Sequence, residues 1–310
     1  MADAGGAPFQ TDAALRAAPR PAPRPRRRVL VTGASGMLGS DLGPVLAAAG
    51  YEVLARPRAD LDVTDPRAVL RTVRELSPDV VVNCAAFTKV DDCETDPRAF
   101  EVNAKAVGHL ADACGLHGAQ LVQISTDFVF DGEKGLPYAE DDAVNPLSGY
   151  GRSKRAGEEA ALRVAGNLVV RASWLFGRSG WNFIEAILKQ VEGGKKRLAV
   201  VVDQVGRPTA TTDLSAGVVA LLEAGAAGVF HFANRGEVSW NEFAREILVG
   251  AGHREVEVDS TTAAVLARPA PRPAYSVLDT GKYERWTGRS IRPFQQPLAE
   301  YLALRGRPEA

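Results

Sequence analysis

Short apolar runs alternate with helical periodicities from residue 28 onward. "RVLVTG" (28–33) reads as a buried strand, and Met37 to Ala49 as the helix that follows it. "YEVLAR" (51–56) predicts the second strand, and "DPRAVLRTVREL" (65–76) a helix starting from a Thr64 cap. "DVVVNCA" (79–85), "AQLVQIS" (119–125) and "NLVVRAS" (167–173) predict strands three to five. Residues 97–115 carry apolar positions at helical spacing between strands three and four, and a helix containing Tyr150 precedes strand five. Continuous Val/Ile/Leu strands separated by helices indicate a parallel sheet covered on both faces. The expected fold class is α/β, an open doubly wound parallel sheet, with ligands bound at the carboxyl ends of its strands.

After Ser173 the rhythm changes. Helical patterns near 181–193, 213–225 and 239–251 are separated by short strands such as "LAVVVD" (198–203) and "GVFHFAN" (228–234). This predicts three parts: a disordered Ala/Pro/Arg-rich tail over 1–27, a nucleotide-binding domain over 28–175, and a smaller mixed α/β substrate lobe over 176–310, with segments near 203–234 returning to the first domain. The formal net charge of −1 gives no reason to expect nucleic acid. No apolar run approaches the ~18 residues of a membrane span. Cys84, Cys93 and Cys114 are odd in number and lack C-x-x-C spacing, which reads as reduced thiols and a cytoplasmic location.

The first strand–helix junction, "VTGASGMLG", carries Gly33, Gly36 and Gly39. Glycine there allows a tight turn, close approach of the backbone to a pyrophosphate, and packing of helix on sheet, while the helix N-terminus favours the anion. Ser35, Met37 and Leu38 belong to the same junction. At the end of the second strand an acidic residue would favour NAD. This chain offers Arg56 and Arg58 instead, which suit the 2′-phosphate of NADP. Asp62 and Val63 follow, placed to flank an adenine ring. "ISTDFVFDG" (124–132) brings Ser125 and Thr126 to the carboxyl edge of the sheet, and "NPLSGYGRSK" (145–154) puts Tyr150 and Lys154 one helical turn apart on one face. An ammonium beside a phenol favours phenolate, so the pair suits proton transfer to or from an oxygen. Asn145 and Pro146 read as the turn that sets the start of this helix.

The glycine-rich turn, the Ser/Thr ending strand four and Y-x-x-x-K together resemble the short-chain dehydrogenase/reductase superfamily in its extended form, built on a Rossmann sheet. Further blocks narrow the resemblance: "NCAAFTKVDDCETDPRAFEVNA" (83–104), "STDFVFDG" (125–132), "VVRASWLFG" (169–177), "VVDQVGRPT" (201–209), "SWNEFA" (239–244) and "RPAYSVLDTGKY" (272–283) are similar to dTDP-4-dehydrorhamnose reductases. The resemblance implies reduction of the 4-keto group of a dTDP-linked 4-keto-6-deoxysugar with NADPH, NADH also being admitted. It implies Thr126, Tyr150 and Lys154 as the catalytic set. Ala85, Ala86, Thr88 and Asn103 would line the cofactor, and Tyr150 and Lys154 would also bind it, the lysine holding the nicotinamide ribose; Asp127, Phe128 and Trp174 would join Thr126 and Tyr150 on the substrate. Phe128 stands where tyrosine is common in the family, and Phe87 where histidine is frequent. Some members are described as dimers linked by metal through glutamates; those glutamates are not assigned to positions of this sequence, no required metal is expected, and a homodimer is admitted.

Two rival readings come from different classes. One is a dTDP-4-ketosugar reductase of secondary-metabolite deoxysugar biosynthesis. The other is a non-catalytic NADP-binding subunit, like the regulatory subunit of methionine adenosyltransferase. Intact Thr126, Tyr150 and Lys154 favour an enzyme, since a binding subunit need not keep all three.

Overall fold

The computed structural model describes residues 27–305, so the tail expected over 1–27 lies, Arg27 apart, outside the described residues. Five strands appear where the apolar runs predict them: β1 (Arg28–Thr32), β2 (Glu52–Arg56), β3 (Val80–Asn83), β4 (Gln120–Thr126) and β5 (Leu168–Ala172). The helices between them are α1 (Met37–Ala48), α2 (Pro66–Leu76), α3 (Arg98–Phe100), α4 (Ala106–His117) and α5 (Gly149–Leu162). The single helix expected over 97–115 is interrupted by a π turn at Glu101–Lys105, which re-aims Asn103 toward α5. The cap of α2 is Asp65, not Thr64. The Asp65 carboxylate accepts the Arg67 and Ala68 N–H groups, while the Thr64 hydroxyl is occupied by Asp62.

The remaining elements are β6 (Leu175–Phe176), α6 (Phe183–Glu192), β7 (Arg197–Val201), β8 (Val205–Gly206), β9 (Thr209–Ala210), α7 (Thr211–Glu223), β10 (Gly228–His231), β11 (Val238–Ser239), α8 (Trp240–Gly250), β12 (Glu257–Thr261), α9 (Ala263–Leu266), α10 (Gly281–Thr287) and α11 (Gln295–Leu304). The main sheet has six strands in the order β10-β5-β4-β3-β1-β2, every pair parallel. Alternate residues of each strand feed opposite cores. Val29, Val31, Val80, Val82, Val122 and Ile124 pack with α1 and α7 on one face, and Leu30, Val81 and Leu121 with α2 and α4 on the other. Both faces are apolar because both are covered, and each buried Val or Leu contributes about 1.5–3 kcal/mol. A separate core of Ile184, Ile187, Leu198, Val200, Phe243, Ile247 and Leu298 unites α6, α8, α11 and the parallel pair β7–β12. No helix among the described residues is long and apolar enough to cross a membrane.

The chain runs from β1 outward to β2, then crosses back to β3 on the other side of β1. This reversal opens a crevice at the carboxyl ends of β1 and β3, where open α/β sheets bind ligands.

Candidate active site

The β1–α1 turn forms one half of the site. Gly33 has φ +61°, and a Cβ there would lie 2.7 Å from the Ala85 backbone nitrogen, so the turn requires glycine for both its hand and its closeness to the segment after β3. Gly36 is the N-cap of α1 with no side-chain cap, which leaves first-turn N–H groups facing outward as donors to an anion. Gly39 lies against the Gly33–Ala34 backbone with no room for a side chain. These features fit a dinucleotide pyrophosphate.

A cavity of about 220 Å³ continues from the turn. Gly33, Ser35, Gly36, Arg58, Asp62, Val63, Ala85 and Ala86 line it, joined by Leu61, Cys84, Phe87 and Val102. Asp62 accepts from the Thr64 hydroxyl at 2.7 Å and the Thr64 N–H at 3.0 Å. Those bonds, with Arg58 3.8 Å away, hold its carboxyl below the usual range. Arg56 is not in the lining; its Nη1 donates to the Ala55 carbonyl. Met37 lies along Gly177 and Gly180, and Leu38 is buried in the core, so both face the turn through backbone only. Thr88 is exposed beyond the lining. Asn103 is buried and its amide is fully engaged: Oδ1 accepts the Phe87 N–H at 2.8 Å, and Nδ2 donates to the Phe87 carbonyl and to Ser153 Oγ. Asn103 therefore ties the cavity wall to α5.

The other half is set by α5. Ser148 caps it by accepting the Gly151 N–H at 3.1 Å, and Glu94 accepts the Gly149 N–H at 2.6 Å. The cap thus follows the Asn145–Pro146 turn by two residues. A Cβ at Gly151 would clash with the Phe128 carbonyl oxygen, so glycine lets α5 settle onto the end of β4. This contact brings Thr126, Tyr150 and Lys154 together. Tyr150 is half-buried; its ring meets Phe128 edge-on at 5.7 Å and its phenol is hydrogen-bonded with Thr126. Lys154 is 4% exposed and donates to the Ile124 carbonyl at 2.7 Å.

Burial pushes the Tyr150 phenol well above its ordinary value; the Thr126 bond opposes this, and nearby Asp127 and Cys93 add to it. The sequence-based expectation that Lys154 depresses the phenol is not met. Its ammonium is turned to Ile124, and burial lowers it to about 8 against the opposing pull of Glu158. A neutral phenol is nevertheless the form needed to donate a proton. Asp127 is buried beneath Thr126, accepting from its hydroxyl at 3.0 Å and from Ser276 Oγ at 2.5 Å; burial raises its carboxyl to about 6. It supports Thr126 from below.

A second cavity of about 380 Å³ opens in the lobe, with Phe183 and Trp240 as aromatic walls, an apolar floor including Val200, amides from Gln190 and Gln204, and Arg268 and Arg272. Phe128 lines this cavity and its ring also touches that of Tyr150, which connects the cavity to α5. Trp174 is absent from the lining. It has φ +47°, stacks flat on Trp240 at 3.5 Å and covers Gly206. Holding a bulky residue in that backbone region costs about 1–3 kcal/mol, so the surroundings enforce it.

Some site residues escape a sequence reading. Thr32 Oγ1 donates to Asn83 Oδ1 at 2.6 Å, and Asn83 Nδ2 to Gln123 Oε1 at 2.7 Å, a buried polar ladder across the ends of β1, β3 and β4. The available signal is a lone polar residue inside "VVVN" and "LVQI". Ser276 lies 149 positions from its partner Asp127, beyond any local pattern.

The reversed parallel sheet, the uncapped glycine turn and the convergence of Thr126, Tyr150 and Lys154 define a short-chain dehydrogenase/reductase of the extended type. More narrowly, the chain belongs to the family described as RmlD substrate binding domain, whose model matches residues 27–305. A dTDP-4-dehydrorhamnose reductase of Streptomyces griseus is 44% identical over 294 residues, covering 92% of this chain and 96% of the relative. A probable dTDP-4,6-dihydroxy-2-methyloxan-3-one 4-ketoreductase of Streptomyces antibioticus is 42% identical, with 86% and 91% covered. Among solved structures, dTDP-4-dehydrorhamnose reductase from Bacillus anthracis in complex with NADP superposes with a TM-score of 0.85 at 33% identity, covering 90% of this chain and 99% of that one.

Proposed function

We propose that the protein reduces the 4-keto group of a dTDP-4-dehydro-6-deoxyhexose with NADPH, converting dTDP-4-dehydrorhamnose to dTDP-L-rhamnose in the cytoplasm. The observation that carries this reading is the meeting of Thr126 with Tyr150 at the end of β4, with Lys154 one turn further along α5; Phe128 beside Tyr150 lines the lobe cavity, and Cys84 near Lys154 lines the cavity at the glycine turn. The uncapped start of α1 takes the pyrophosphate, and Arg58 with Asp62 the adenosine end. When bound, the nicotinamide supplies the hydride. The apolar lobe cavity takes the nucleotide of the sugar substrate: Trp240 and Phe183 offer faces for a base, and Arg268 and Arg272 offer charge for its diphosphate.

Tyr150 gives its proton to the sugar oxygen as negative charge develops there. Thr126 holds the phenol and the substrate oxygen within hydrogen-bonding reach, and Lys154, one turn along α5 and bonded to the Ile124 carbonyl, supplies a buried cation to hold the nicotinamide ribose. Asp127 and Ser276 fix Thr126 from below.

The test is product analysis with NADPH and dTDP-4-keto-6-deoxyglucose, with and without a 3,5-epimerase. Formation of dTDP-L-rhamnose only when epimerase is present supports the proposal. The likeness to a 4-ketoreductase of a different sugar supports a second reading, in which a product of other configuration forms. Absence of NADPH oxidation with every dTDP-ketosugar would refute both.

A further inference from the structure

Beneath the site lies a buried ion pair that the reaction does not use directly. Glu158 is on α5, one turn beyond Lys154, and is fully buried. Its Oε1 accepts from Ser125 Oγ at 2.6 Å and from Arg171 Nε at 2.8 Å; its Oε2 accepts from Arg171 Nη2 at 2.8 Å and Arg155 Nη1 at 3.3 Å. Arg171 is 2% exposed and stands on β5 directly across from Ser125 in the strand register. Its guanidinium lies over Phe130, and its Nη1 is 3.3 Å from Nε2 of buried His231. Burial lowers His231 to about 3, helped by Arg171, so the ring is neutral: Nε2 accepts from Arg171 while Nδ1–H donates to the Tyr138 carbonyl.

A buried ion pair adds little net stability, because desolvation consumes most of the Coulomb gain and an apolar pair of the same volume often serves as well. What this pair supplies is geometry. Successive turns of α5 grip successive residues of β4: Lys154 donates to the Ile124 carbonyl, and Glu158 accepts from Ser125. The next residue of β4 is Thr126. Glu158 is therefore a three-way joint between the helix carrying Tyr150 and Lys154, the strand carrying Thr126, and β5.

We propose that Glu158, anchored by Arg171, is a positioning residue for reduction: it sets the register of α5 on β4 so that Thr126, Tyr150 and Lys154 meet, and it provides the negative charge that the Lys154 ammonium faces. The inference rests on the reading of Tyr150 and Lys154 given under the proposed function. The groups facing Lys154 are Glu158 from α5, the Cys84 thiol from the segment after β3, and the Ile124 carbonyl from β4; Arg171 on β5 lies behind Glu158. Glu158 is thus the anionic group among them, and its removal exposes Lys154 to an uncompensated Arg171.

The test compares wild type, Glu158→Gln and the double variant Glu158→Gln/Arg171→Met by three readouts: kcat with the dTDP-ketosugar, thermal melting, and NADPH affinity by fluorescence titration across pH. With Lys154 holding the cofactor's ribose, wild-type NADPH affinity is expected to fall as pH rises past about 8 and the ammonium is lost. In Glu158→Gln this alkaline break moves down by about one pH unit, a roughly tenfold loss of affinity measured above the wild-type break. kcat falls on the order of 10²-fold, as expected for ångström-scale misplacement of reacting groups. In the double variant the break returns toward the wild-type position because both charges are gone, while kcat stays low. If Glu158→Gln does not fold, the double variant, which leaves no guanidinium stranded without its carboxylate, carries the kcat test. Wild-type kcat in either variant overturns the proposal. So does a kcat loss that only tracks a lowered melting temperature with the alkaline break unmoved. Absence of wild-type turnover with every dTDP-ketosugar would instead refute the proposed function, and the NADPH titrations would still report on Glu158.

Discussion

Lys154 sets stability against function. It is 4% exposed, and burial lowers its ammonium from 10.5 to about 8. At about 1.36 kcal/mol per pH unit, keeping it charged below pH 8 costs the folded chain roughly 3 kcal/mol relative to the unfolded one. Lys154→Met keeps the apolar stem and removes the charge. It also removes the bond to Ile124, worth about 1.5 kcal/mol. The expected net gain near pH ~7 is about 1–2 kcal/mol, a rise in Tm of roughly 2–3 °C for a chain of this size. The sign of the pH dependence follows from the lowered value. Below about 8 both states hold the proton, so the gap between variant and wild type is constant. Between about 8 and 10.5 the folded wild type sheds its proton first while the unfolded chain retains it, so wild-type stability from this group rises and the gap closes. Paired thermal melts near pH ~7 and pH ~10 read this directly, while turnover of the variant falls on the order of 10²-fold or more for want of the cation. A gap that stays constant across that range, or a Met variant less stable than wild type near pH ~7, would refute the reasoning.

Three further outcomes follow from the geometry. Arg58→Ala weakens NADPH binding by about tenfold and leaves NADH unchanged, the loss expected for one charge-assisted hydrogen bond to a phosphate; equal loss for both cofactors would remove Arg58 from that assignment. Gly151→Ala forces a methyl against the Phe128 carbonyl, costs about 1–3 kcal/mol in chemical denaturation and lowers kcat, because α5 must lift from β4. Trp240→Leu raises KM for the sugar nucleotide by roughly 3–10-fold through loss of a stacking face while NADPH affinity holds; an unchanged KM would place the nucleotide elsewhere.

Much of the sheet is legible in the chain because both its faces are covered. A strand buried on two sides must be apolar at every position, so "VLVT", "VVVN" and "LVQIS" announce themselves without periodicity. Local chemistry was less secure. Thr64 and Asp65 are both good caps, and only the prior engagement of Thr64 with Asp62 decides between them. The lone polar residues within the strands mark the ladder Thr32–Asn83–Gln123, but what pairs with what depends on strand order, which no local window contains. Lys154 is legible as an ammonium near a phenol; that it turns to Ile124, and that Glu158 rather than Tyr150 is its electrostatic neighbour, requires α5 to be docked on β4. Trp174 reads as an aromatic over the sugar, whereas its positive φ lays it behind Trp240, and the cavity presents Trp240 instead.

The central claim is that Tyr150 is the proton donor, and Tyr150→Phe tests it with one atom removed. The ring contact with Phe128 is kept, so the fold and the dinucleotide cavity stay as they are. Steady-state reduction of the dTDP-ketosugar, measured beside an NADPH titration, is expected to show a loss of about 10²–10⁴-fold in kcat with NADPH affinity unchanged. Turnover near that of the wild type would contradict the account.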